Sequence, residues 1–156
     1  MDNEELCNRL LDEAYASKFD EEVNRYQDIV ESTANSVINA AVSYEKCIAN
    51  EDFESAQKLE NRLDSLTSIL GIPLGEISED ICALAAKKAN VAHLRVEKIY
   101  SFLDQFKQYH NNNDSKNANN ALKVAQDLAK TMEIDMAAFR GKVKHILQEK
   151  SLNKSD

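Results

Sequence analysis

Three glycines and one proline are all that 156 residues contain, and two of the glycines, Gly71 and Gly75, bracket the proline, Pro73. Most turns and breaks use these two residue types, because glycine reaches positive φ freely and proline lacks the N–H that helices and sheets need. A chain so poor in both, yet rich in Ala, Leu, Glu, Lys and Gln, is predicted to consist of helices. The expected fold is all-α: an elongated up-and-down antiparallel bundle of four long helices plus a short N-terminal one. It forms one domain over residues 1–150, with a polar tail at 151–156.

Apolar periodicity places these helices. A short first one is expected from Asn3 to about Ala16, with Asp2 or Asn3 as cap and Leu6, Cys7, Leu10, Leu11 and Ala14 as its apolar stripe. Ser17-Lys18-Phe19 reads as a corner and Asp20 as the next N-cap. A second helix, to about Ala49, has a seam of Val23, Val30, Ala34, Val37, Ala41, Tyr44 and Ile48, in heptad rhythm from Val30 onward. Its small residues, Ser32 to Ser36 and Asn39 to Ala41, suit close approach of a neighbour.

Asn50-Glu51-Asp52 is a tight turn. The third helix carries Phe53, Ala56, Leu59, Leu63, Leu66 and Leu70, and Gly71 stands where a C-terminal cap belongs, with Pro73 beyond it. Ser78 is the expected cap of the fourth helix, whose seam is Ile81, Ala85, Ala92, Val96, Ile99, Leu103 and Phe106, with Lys88 on the same stripe. After a polar turn at Asn111–Ser115, a fifth helix is predicted to Lys150. Gly141 inside it marks a close contact or a bend, and Asp135 offers a restart after Thr131. The predicted core includes Val37, Ala41, Leu63, Leu66, Val96, Leu103, Met132 and Phe139.

Catalytic and cofactor patterns are scarce. His93, His110 and His145 lie far apart, and none sits in Glu-x-x-His or His-Glu-x-x-His. Cys7, Cys47 and Cys82 show no metal-ligand spacing and read as reduced thiols. Met132 and Met136 read as core filling. Gly71-Ile72-Pro73-Leu74-Gly75 lacks the pattern of a phosphate loop and reads as a plain connection, or as an apolar docking knob. No cofactor or metal is expected. The acidic start Met1-Asp2-Asn3-Glu4-Glu5 is unlike a secretory leader, and no apolar run approaches the ~20 residues that cross a bilayer, so a cytoplasmic location is expected.

Charge is the distinctive feature. Residues 1–80 hold 19 acids and 6 bases, whereas residues 81–156 hold 8 acids and 13 bases. Either the two halves attract each other within the fold, or each presents a face to a partner. The leading expectation is a non-enzymatic protein–protein interaction module of adaptor, secretion-chaperone, immunity or inhibitor type. Its partner-binding residues would be Asp20, Glu21, Asp28, Glu31, Glu51, Asp52, Glu60 and Asp64. The long seams also suit homo-oligomers. The alternative is a nucleic-acid-associated regulator. Lys116, Lys123, Lys130 and Lys144 follow a seven-residue step, interrupted at Ala137, and would line one edge of the fifth helix for about 40 Å. A cofactor-holding bundle is a weaker alternative.

Asn50-Glu51-Asp52-Phe53-Glu54-Ser55-Ala56, continuing to Leu59, Leu63 and Leu66, resembles the second half of the UVR helical hairpin of nucleotide-excision-repair proteins and some protease adaptors. The resemblance covers about 35 residues at most and implies a tight antiparallel hairpin. The family's Arg-Asp is here Glu60-Asn61 and its Ala-Ala is Cys47-Ile48, so no functional residue carries over.

Overall fold

The computed structural model describes residues 2–72 and 80–154. Among these, the chain forms five helices and no strand: α1 (Asn3–Ala49), α2 (Phe53–Leu70), α3 (Ile81–Asn111), α4 (Ser115–Thr131) and α5 (Met136–Lys154). The chain is all-α, but two boundaries differ from the sequence expectation.

The first difference is at residues 17–19. No corner exists there, so the expected short and long helices form one helix of 47 residues. Asp2 caps it, its carboxylate accepting from the Glu5 N–H at 2.7 Å. Nothing between Asn3 and Ala49 forces a break, and the contacts of Ala16, Phe19 and Val23 hold the helix through the site. All three are buried on one face, with Phe19 and Val23 fully enclosed. Asp20 makes no cap, because its carboxylate is engaged elsewhere.

The second difference is the break that Asp135 hinted at. The Glu133 N–H donates to the Lys130 carbonyl at 3.0 Å and the Ile134 N–H to the Ala129 carbonyl at 2.9 Å, closing α4 with a Schellman motif. Ile134 is the apolar residue that follows such a motif, and it is buried. Asp135 then starts α5, accepting from the Ala137 N–H at 3.2 Å.

Glycine scarcity is met by non-glycine residues at positive φ. Glu51, Asn113 and Glu133 have φ of 58°, 59° and 59°, and each follows the end of a helix. The turns at 50–52 and 112–114 are closed alike. The Asp52 and Asp114 N–H groups bond to the Cys47 and Tyr109 carbonyls at 2.8 and 2.9 Å. Each aspartate then caps the next helix, accepting from the Ser55 N–H at 3.2 Å and the Asn117 N–H at 3.3 Å. The tight turn that the UVR-like run implied is thus present. A left-handed glutamate is strained by roughly 1 kcal/mol. Glu51→Gly is therefore expected to raise the urea midpoint, by about 0.5–1 kcal/mol in stability. A lower midpoint for the glycine variant would contradict the strain.

Gly71 closes α2 with φ 71°, and the Ile72 N–H reaches the Thr67 carbonyl at 2.9 Å. Ile72 is buried, so it does not join an exposed knob. Pro73, Leu74 and the expected cap Ser78 lie outside the described residues.

The chain divides into two compact units: residues 27–94, and residues 1–26 with 95–156. We call these the hairpin unit and the split unit. The hairpin unit has a core of Ala34, Val37, Ala40, Ala41, Leu63, Leu70, Ile72, Ile81 and Ala85, with Leu66 half-buried at its margin. The core of the split unit centres on Phe19, Val23, Ile99, Leu103, Ala125, Ala129, Met132, Ile134, Ala138, Phe139 and Ile146, with Val96 at its margin. Thus Val37, Ala41, Leu63, Leu103, Met132 and Phe139 are buried as expected, while Leu66 and Val96 are partly so. A further cluster packs Ala118 and Ala121 at the start of α4 against Val143 and Leu147 in the middle of α5, and the short 132–135 connection makes these two helices a hairpin. The buried line of α4 is alanine, at 118, 121, 125 and 129. Lys88 is exposed and Ala89 takes its place against the core. The Leu6–Leu10–Leu11 stripe of α1 is about half exposed rather than buried.

Candidate functional site

The charge asymmetry has a different outcome in each unit. The split unit combines 16 acids with 14 bases, because it joins the acidic residues 1–26 to the basic residues 95–156. Asp20 shows how. Its Oδ1 accepts from the Tyr100 hydroxyl at 2.7 Å and its Oδ2 from Lys142 Nζ at 3.2 Å. Lys142 also lies 5.9 Å from the Tyr100 ring centroid, and Tyr100 packs edge-on to Phe19 at 6.1 Å. Lys18 pairs with Asp135 at 3.0 Å, Gln148 donates to Asp12 at 2.8 Å, and Glu22 accepts from the Asp135 N–H at 3.4 Å. Exposed ion pairs such as Lys18–Asp135 are screened by solvent and add little stability. Their effect here is to match charge inside the unit.

Burial, then the hydrogen bond to Asp20, pushes the Tyr100 hydroxyl well above the usual phenol range. A raised folded-state value contributes stability that is present below the unfolded value of about 10 and is lost as pH rises towards the folded one. The thermal midpoint is expected to fall between about pH 9 and pH 11, and Tyr100→Phe should show a shallower fall. Equal slopes in the two proteins would remove Tyr100 as the cause. At the acid end, Asp52 and Asp135 titrate below the ordinary carboxylate range. Asp52 is held there by the Ser55 bond and Asp135 by the Lys18 bond. Their contribution is present above about pH 4 and is lost as pH falls through the depressed values.

The hairpin unit is not matched: it has 11 acids and 5 bases. Six of the eight predicted partner-binding residues fall in it. Asp28, Glu51, Asp52 and Glu60 are exposed, and Glu31 and Asp64 are half-buried. They form three pairs: Asp28 with Glu31 and Glu60 with Asp64, each about one turn apart on a helix, and Glu51 with Asp52 at the α1–α2 turn. Glu31 accepts from Gln27 Nε2 at 2.9 Å. Two of the six have local duties, Glu51 at positive φ and Asp52 as the α2 cap. The other two of the eight lie in the split unit. Glu21 is exposed, and Asp20 is bonded to Tyr100 and Lys142 rather than free to meet a partner.

The continuous lysine edge does not form. Lys116, Lys123 and Lys130 are exposed along α4, over about 21 Å, while Lys144 belongs to α5 beyond the break. The histidines stay apart in role. His93 Nδ1 lies 3.1 Å from Gln27 Nε2, His145 pairs with Glu149 one turn on, and His110 packs on Phe106. Among the described residues, no three His, Cys, Asp or Glu side chains come together as metal ligands. Met132 is buried and Met136 packs beside the same core. No helix among the described residues is long and apolar enough to cross a membrane.

A groove that the sequence reading missed lies between α1 and α2. Ser36, Asn39, Ala40, Ser43, Leu59 and Arg62 line this open groove of about 180 Å³, with Asn39, Ser43 and Arg62 exposed. Ser36, Asn39 and Ala40 belong to the small stretch that reads as room for a neighbouring helix, and Ser43 continues their stripe outside it. Arg62, two turns into α2, gave no sign of facing that stripe.

No family model matches the chain, and comparisons with curated proteins and with solved structures also find no match.

Proposed function

We propose that the chain is a non-enzymatic cytoplasmic protein–protein interaction module, built as up-and-down helical bundles, whose hairpin unit presents its acids to a basic protein partner. The observation behind this reading is the uneven charge matching. The split unit balances 16 acids with 14 bases, whereas the hairpin unit leaves 11 acids against 5 bases. Unmatched surface charge raises the rate of encounter with an oppositely charged partner and loses that effect with salt, because screening acts over about 8–10 Å.

The test is kinetic. With a partner isolated from the native host, the double reversal Asp28→Lys with Glu31→Lys is expected to slow association about tenfold at low ionic strength. The thermal midpoint should change little, since both side chains are at least partly exposed. Reversing Lys123 and Lys130 to Glu on α4 is the matched control. If the lysine reversal abolishes association and the acidic one leaves it intact, the acidic face is not the docking surface.

A further inference from the structure

The α1–α2 groove has a chemistry of its own. Arg62 has no ion pair or hydrogen bond among the described residues, and neither do the side chains of Ser36, Asn39 and Ser43. A guanidinium carries five N–H donors in a planar fork, and the two hydroxyls and one amide beside it can all donate. The remaining lining, Ala40 and Leu59, is apolar, and Ala40 is buried. These donors have water in place of protein partners, and beside an apolar floor a hydrogen bond to an anion gains strength when that water is displaced. Since each water occupies about 30 Å³, a groove of 180 Å³ has room for several waters or for one tetrahedral oxyanion.

We propose that this groove is a phosphate-binding site. An oxyanion is favoured because Arg62, the one charged group in the lining, meets no carboxylate. Phosphate is favoured over carboxylate because the donors outnumber the two oxygens that a carboxylate offers, whereas phosphate accepts on three or four. The acids of the hairpin unit oppose a diffusing anion at long range. Screening limits that field to about 8–10 Å at physiological salt, and the groove donors act at contact. This inference does not depend on the acidic-face reading.

The experiment is a titration of the full chain with inorganic phosphate, followed by amide resonances at constant ionic strength. Saturable shifts are expected at residues 36–43 and 59–62, with half-saturation in the millimolar range. Arg62→Gln should eliminate the saturable part, Arg62→Lys should keep a weaker one, and Ser43→Ala should raise the half-saturation point. Lys123→Gln on α4 should leave the titration unchanged. Phenyl phosphate separates the two sources of this group. Tighter binding than inorganic phosphate assigns the site to a monoester, and weaker binding assigns it to the free ion. Shifts that grow linearly without saturation, or that persist in Arg62→Gln, would overturn the site. Saturation by acetate at lower concentration than phosphate would overturn the phosphate assignment.

Discussion

Phe19→Ala is expected to destabilise the split unit by about 3–5 kcal/mol, the range for deleting a fully buried aromatic side chain. Phe19 has no solvent exposure, sits edge-on to Tyr100 at 6.1 Å and is tilted against Phe139 at 6.0 Å. Truncation would leave a cavity between α1, α3 and α5 and would also remove the aromatic contacts, each of about 0.5–1.5 kcal/mol beyond area burial. Small domains are stable by roughly 5–15 kcal/mol in all, so this loss is a large share. Urea unfolding followed by circular dichroism measures it. A loss under about 1 kcal/mol would mean that Phe19 is not enclosed in this core.

Gly141→Ala should also destabilise, against the trend for helices. In an uncrowded helix this exchange gains about 1 kcal/mol. Here a Cβ on Gly141 would collide with Tyr15 Cβ, and would come within 3.2 Å of Tyr15 Cγ and 3.4 Å of its Cα. The obstruction is the root of a side chain and its backbone, so no rotamer change removes it. Helices α1 and α5 would have to separate locally, and overpacking of that kind typically costs about 1–3 kcal/mol. The measured sign decides the matter: a stabilised alanine variant would show that α1 and α5 do not approach closely at Tyr15. From the sequence alone, Gly141 marks either a bend or a close contact. It is a contact, and the partner that made the difference stands 126 positions earlier in the chain.

That Asp28 and Glu60 are exposed was legible in the sequence, because both lie off the apolar stripe of their helices. That Asp20 is not among the available acids was not. Aspartate beside two glutamates looks like a helix start, and only Tyr100 and Lys142, which α3 and α5 bring to it, give the carboxylate another use. The same holds for the groove, whose cation comes from α2 and whose small polar residues come from α1.

What the sequence determined by itself was set by local backbone chemistry. Few glycines and prolines disfavour frequent turns, Gly71 closes a helix because it tolerates φ of 71°, and Asp52 and Asp114 cap helices because their carboxylates reach N–H groups three residues ahead. The tertiary structure decided the rest. At residues 17–19 the capping preference of Asp20 lost to the burial of Phe19. At residues 131–135, a stretch with no glycine, the expected fifth helix broke because burying Ile134 offsets the strain of Glu133 at φ 59°. A local preference is worth about 1 kcal/mol and a buried side chain about 1.5–3, so packing prevails wherever the two conflict.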